Sequence, residues 1–170
     1  MLFDFFKKGG FLMYPILICS IIGVSIFLYK FFEYRRIFKE LIYDLDYGFM
    51  KDIKDYLKRS ENFENKIEII WVKKIHYIEK GIPTLNLLAN VSTLLGLTGT
   101  VVGMIQTFMI ISNLEMPKPS MLASGIWQAL ITTAFGLFVA IPLHIGVHWL
   151  EKEMDEILVI LREKILSKNA

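Results

Sequence analysis

Two threonines and two glutamines are the polar groups that could do chemistry inside the long uncharged stretches of this chain. Thr100 lies fourteen residues before Leu114, and Thr133 fourteen residues after Pro119. On helices both fall about 21 Å from the intervening segment 115–119, at one depth. Gln106 and Gln128 fall at about 12–14 Å by the same reckoning. Hydroxyls and amides can hold water or hydrogen-bond a carboxylate, but they do not take up a proton at neutral pH. Two such layers describe a lined path or cavity whose titrating group comes from another chain. A lone threonine can instead bond back to its own helix carbonyl. Thr100 and Thr133 together are read as facing a bundle interior, where intramembrane polar groups usually point.

His144 and His148 stand at i and i+4, a spacing that can bind a metal or relay protons. No third ligand is close in sequence, and a pair of interfacial side chains is the preferred reading. Cys19 is the single cysteine, which rules out an intrachain disulfide and any Cys/His metal spacing. It reads as a small apolar residue in a helix. There is no repeat, no Gly-rich phosphate loop and no visible catalytic apparatus. The expectation is a protein that is not an enzyme, with no catalytic residues, cofactor, metal or nucleic-acid partner.

The elements that must carry these residues are membrane spans. Hydrophobic residues make up 54% of the 170, and they are clustered. About 20 consecutive apolar residues cross a bilayer, and residues 11–29, 82–114 and 120–150 all reach that length. The expected fold is an all-α membrane protein of three transmembrane helices that extend into a cytoplasmic helical region. Its parts are a short periplasmic N-terminus over 1–9, spans over 10–32, 85–114 and 120–150, a cytoplasmic region over 33–84, a periplasmic loop over 115–119 and a cytoplasmic tail over 151–170. Charge sets the orientation. Residues 30–80 hold twelve Lys and Arg, the tail four and the 115–119 loop only Lys118. Positive residues favour the cytoplasmic side, and three spans put both charge-rich regions there. Lys7 and Lys8 before an apolar run resemble a signal peptide, but no small-residue cleavage site follows, and the run reads as a retained span.

Between the first and second spans, Ile37, Leu41, Leu45, Phe49, Ile53 and Leu57 recur every four residues, which predicts an amphipathic helix. A break is expected at 60–62, then a second helix through Phe63, Ile67, Ile70, Trp71, Ile75 and Ile78. These read as a packed collar with a solvated charged face.

Small residues line one face of each hairpin helix: Ala89, Ser92, Thr93, Gly96, Gly99, Thr100 and Gly103, then Gly125, Ala129, Thr132, Thr133, Gly136 and Ala140. Such faces let membrane helices approach closely, since lipid supplies no hydrophobic drive for association. For the glycines and alanines, packing alone is the preferred reading. Pro142 marks either a structural kink or a flexible point.

Three segments carry a family resemblance. They are Gln128-Ala129-Leu130-Ile131-Thr132-Thr133-Ala134-Phe135-Gly136-Leu137-Phe138-Val139-Ala140-Ile141-Pro142, then Leu95-Gly96-Leu97-Thr98-Gly99-Thr100-Val101-Val102-Gly103-Met104, and, more weakly, Gly9-Gly10 with Met13-Tyr14-Pro15-Ile16, Glu33 and Arg35. At these residues the chain resembles the MotA/TolQ/ExbB proton-channel family, nearest its ExbB and TolQ branches. The resemblance implies a ring, typically a pentamer, whose second and third spans line a central pore in the bacterial inner membrane. It implies an ExbD-like partner whose transmembrane Asp sits in that pore, and a TonB-like protein that receives the work. Thr100 and Thr133 correspond to the family's pore threonines. Thr132, Gln128 and Gln106 are assigned to the same proton pathway, and Gly96, Gly99, Gly103, Gly125, Gly136 and Ala140 to helix packing. Gln128 stands where the family often has Glu, and Val102 where a Trp is frequent. The implied function is an ExbB-like subunit that energises TonB-dependent import. The alternatives are a TolQ-like role in envelope maintenance or a non-conducting membrane scaffold.

Overall fold

The structure is a computed structural model that describes residues 9–43, 51, 75–116 and 118–167. Its three long helices are α1 (Met13–Ile42), α2 (Ile82–Ser112) and α3 (Pro119–Ser167). A further helical stretch over 75–79 precedes α2. Each long helix carries a proline in its first turn: Pro15, Pro83 and Pro119. There the missing amide donor costs little and the fixed φ suits a helix. Gly10 (φ 76°) precedes α1 and Gly81 (φ 102°) precedes α2. Both sit in the left-handed region, where a side chain is strained.

All three helices are long and apolar enough to cross a membrane. The most apolar windows of α1 and α2 are each only 22% buried within the chain, so most of their surface is left for lipid or for other chains. Helix α3, of 49 residues, is about 74 Å long, far beyond a hydrocarbon core of roughly 30 Å. Pro142 lies inside it, and the helix runs on without interruption to Ser167. The expected collar helices fall largely outside the described residues, as does the expected break at 60–62.

The chain divides into two compact units, one of Met1–Ser25 with Thr84–Ile145, the other of Ile26–Pro83 with Gly146–Ala170. In the first, α2 buries Leu85, Ala89, Ser92, Gly96, Gly99, Gly103 and Thr107, a stripe at steps of three and four. The facing stripe of α3 runs through Gly125, Ala129, Thr132, Gly136 and Ala140. The contact is close enough to involve backbone: a Cβ on Gly136 would lie 2.7 Å from the Ser92 carbonyl oxygen and 2.9 Å from Gly96 Cα. Thr132 packs its methyl on Gly99, and Thr107 packs on Gly125. Gly23 of α1 receives Leu143, whose Cδ1 would be 2.8 Å from an added Cβ.

The second unit buries Ile37, Leu41, Ile78, Ile82, Leu150, Ile157 and Leu161. Phe27 and Phe31 cluster with Trp149, the Phe31 and Trp149 ring centroids 5.1 Å apart. The sequence gives no warning of its polar knot. Lys30 is 4% exposed, and its Nζ donates to Glu33 Oε2 at 2.6 Å and to the Ile78 carbonyl at 3.3 Å. Tyr34 Oη donates to the same carbonyl at 2.6 Å, and Tyr77 Oη to Glu33 Oε1 at 2.9 Å. Carbonyls in the last turn of a helix lack an intrahelical partner. Two side chains of α1 supply one here, at the end of the 75–79 stretch. In Tyr34→Phe the carbonyl keeps Lys30 while one neutral hydrogen bond is lost. Unfolding in mild detergent should report a loss of about 1 kcal/mol, with the exposed Tyr29→Phe unchanged.

Candidate functional site

The polar residues of the hairpin follow from the small-residue stripe. Gly96 has no side chain, so the α3 backbone comes close and the Gly96 carbonyl becomes reachable. Thr133 Oγ1 donates to it at 2.8 Å. In an α-helix that carbonyl also accepts the amide of residue 100, four positions on. The Thr133 hydroxyl and the Thr100 backbone therefore meet at one oxygen. The Thr100 hydroxyl points elsewhere and donates to the Leu97 carbonyl at 2.6 Å. Thr100 is half-exposed and borders an apolar groove of about 680 Å³ with Val101, Met104, Ile105, Phe108 and Met109.

Contacts pair Gly99 with Thr132 and Gly103 with Ala129. That register sets Thr100 within one or two residues of Thr133 along the axis, about 3 Å. Thr132, the preceding residue on α3, is turned about 100° away and is buried. Its hydroxyl lies 2.9 Å from the Gly9 carbonyl and 3.0 Å from the Gln128 carbonyl. It thus faces the chain just before α1, while Thr133 faces α2.

Gln106 and Gln128 are brought to one place. Both line a cavity of about 370 Å³ between α2 and α3, together with Thr107, Ser120, Ser124 and Gly125. Neither threonine layer residue, Thr100 or Thr133, lines it. On the other side of Gln128 lies the turn before α1, where a Cβ on Gly10 would meet Gln128 Nε2 at 2.6 Å. His144 and His148 are exposed. His148 Nδ1 is 4.0 Å from Glu151 Oε2, both well solvated. Among the described residues no three His, Cys, Asp or Glu side chains could hold a metal, and Cys19 is a free thiol.

Two buried hydroxyls were not singled out from the sequence as pathway groups. Thr107 donates to the Gly103 carbonyl at 2.7 Å and Ser92 to the Leu88 carbonyl at 2.8 Å. Their place on the α2 stripe, Ser92 four residues before Gly96 and Thr107 four residues after Gly103, was the available signal.

Residues 35–163 match the MotA/TolQ/ExbB proton channel family. The chain belongs to that family. It is a family of proton channels, and with three apolar helices this MotA/TolQ/ExbB chain is a multi-pass membrane protein. It is similar to the Tol-Pal system protein TolQ of Haemophilus influenzae, 36% identical over 107 residues, which covers 56% of this chain and 47% of the relative. It is similar to the biopolymer transport protein exbB1 of Vibrio cholerae, 33% identical over 102 residues, 59% of this chain and 45% of the relative. An ExbB-like biopolymer transport protein of Synechocystis is 28% identical over 172 aligned positions, covering 82% of this chain and 66% of the relative. The chain spans about half the length of the first two. Both branches of the family are represented among these relatives.

Proposed function

We propose that this chain is the ExbB-like pore subunit of an inner-membrane motor driven by the proton-motive force, which energises TonB-dependent import across the outer membrane. One observation carries the reading. Residues 82–112 and 119–150 contain no Asp, Glu, Lys or Arg, yet two hydroxyls stand at neighbouring levels of the hairpin, Thr133 on the Gly96 carbonyl and Thr100 on the Leu97 carbonyl. Such a surface can hydrogen-bond an acid and its water but cannot itself carry a proton. The acid is the transmembrane Asp of an ExbD-like partner. Five copies enclose it, with Thr100 and Thr133 towards the lumen and Thr132, Gln128 and Gln106 in the same pathway. The N-terminus and residues 115–119 are periplasmic, and residues 33–84 and 151–170 are cytoplasmic. One elementary charge crossing 100 mV releases about 2.3 kcal/mol, so a few protons per step supply useful work to a TonB-like protein.

The test is proton uptake by vesicles holding the chain with and without its partner. Uptake is expected only with the partner, and is lost when the partner's Asp becomes Asn. Uptake by the chain alone, or none with the intact partner, would sink the proposal. A single three-span chain cannot enclose a lumen. Native mass spectrometry of the detergent-extracted protein should therefore give a closed oligomer, and monomers alone would contradict it.

The similarity to TolQ of Haemophilus influenzae favours a second reading, a TolQ-like role in envelope maintenance. Complementation separates the two. Restored growth on scarce iron supports the ExbB role, and restored tolerance of detergent the TolQ role.

A further inference from the structure

We propose that the cavity between α2 and α3 is a water-filled vestibule, open on the side of the bilayer that carries residues 113–118, which brings water down to Gln128. The inference deepens the pore reading by giving protons a route of approach, and it rests on that reading only for the proton as cargo.

Position comes first. Ser120 lies in the first turn of α3, beside the loop, and Gln128 lies nine residues below Pro119, about 13 Å. Both line the cavity, so it runs from the loop into the depth of the hairpin. Ser120, Ser124 and Gln106 are exposed, and the cavity is open to its surroundings at their level. The loop supplies an aqueous end, since Asn113, Glu115 and Lys118 are exposed there.

Chemistry decides the filling. Among the described residues the side chains of Gln106, Gln128, Ser120 and Ser124 have no hydrogen-bond partner, whereas Thr107 beside them is satisfied by Gly103. An unsatisfied polar group at membrane depth costs several kcal/mol. An acyl chain offers those amides and hydroxyls nothing, while water offers both donors and acceptors. Water in the liquid takes roughly 30 Å³ per molecule, so a cavity of about 370 Å³ holds on the order of ten. That is enough to link four polar side chains into one hydrogen-bonded column.

The column has a floor. The Gln128 amide separates the cavity from the Gly9–Gly10 turn, and one helical turn deeper the Thr132 hydroxyl closes on the Gly9 carbonyl at 2.9 Å. A side chain on Gly10 would push the Gln128 amide from this place. Water therefore reaches the amide and stops, one turn short of the Thr133 layer.

The test is thiol labelling of the full-length protein in membrane vesicles. In a Cys19→Ala background, single Ser120→Cys, Ser124→Cys and Gln128→Cys variants meet a cationic, membrane-impermeant methanethiosulfonate. The reagent is added to right-side-out or to inverted vesicles. Ser120→Cys reports the loop side. The expected result is that Ser124→Cys and Gln128→Cys label from that same side, and that adding Ser124→Trp abolishes labelling at Gln128→Cys. If Gln128→Cys stays unreactive while Ser120→Cys labels, an acyl chain or a neighbouring copy fills the space and the proposal is overturned. Labelling of Gln128→Cys only from the opposite side overturns it too. The readout needs neither the partner nor proton flux, so its failure is distinct from failure of the pore reading.

Discussion

Gly136→Ala should loosen the α2–α3 hairpin by about 3 kcal/mol and dissociate the assembled protein in detergent. A methyl group there would lie 2.7 Å from the Ser92 carbonyl oxygen and 2.9 Å from Gly96 Cα. Both obstacles are backbone, so no side-chain rotation relieves them. The helices must separate, which removes the Thr133 hydrogen bond and the seat of Thr132 on Gly99 as well. Gly136→Val should be worse, because a second branch meets the same wall. Gly96→Ala should be milder, since its nearest neighbour would be Gly136 Cα at 3.2 Å. Thermal unfolding followed by size-exclusion chromatography gives the ranking. The exposed Leu137→Ala serves as the control. A Gly136→Ala protein with unchanged melting and unchanged elution would show that this crossing is not tight.

Thr133→Val should abolish partner-dependent proton uptake and leave the fold nearly intact. The change keeps the shape and removes one interhelical hydrogen bond, worth about 0.6–2 kcal/mol in a membrane. The Gly96 carbonyl is not orphaned, because in the helix it still accepts the Thr100 amide. Stability therefore predicts a modest effect, and a role in the proton path predicts a large one. Thr133→Ser restores the hydroxyl and should restore much of the uptake. Thr132→Val provides contrast. It frees the Gly9 carbonyl in a buried place, so it should lower melting before it lowers uptake in the protein that remains folded. Full uptake in Thr133→Val, with growth on scarce iron to match, would remove Thr133 from the path.

Different parts of the molecule were legible in the sequence to different degrees. The three spans were, because the length of an apolar run is set by bilayer thickness and needs no partner to read. The second helix opens at Ile82, where the apolar run begins, because Gly81 takes a positive φ and Pro83 favours a first turn. The steps of three and four through Gly96, Gly99 and Gly103 were visible for the same local reason. What the hydroxyls bond to was not. Thr132 and Thr133 are neighbours of one type, yet one faces a carbonyl 123 positions away and the other one 37 positions away. That choice depends on the rotation of α3 about its axis, which packing against two other segments sets. The Lys30, Glu33, Tyr34 and Tyr77 knot was hidden too. Nothing local says that Lys30 bends to the Ile78 carbonyl instead of reaching for water.

The bareness of the hairpin has an electrical corollary. From Ile82 to Ser112 and from Pro119 to Leu143 there is no ionisable side chain to be displaced by a field. Tilting or turning these segments in a polarised membrane does essentially no electrical work through their side chains. They would give no gating current, and voltage could neither hold them in one posture nor drive them to another. Sensitivity to the membrane potential must enter with whatever charge is lodged against them.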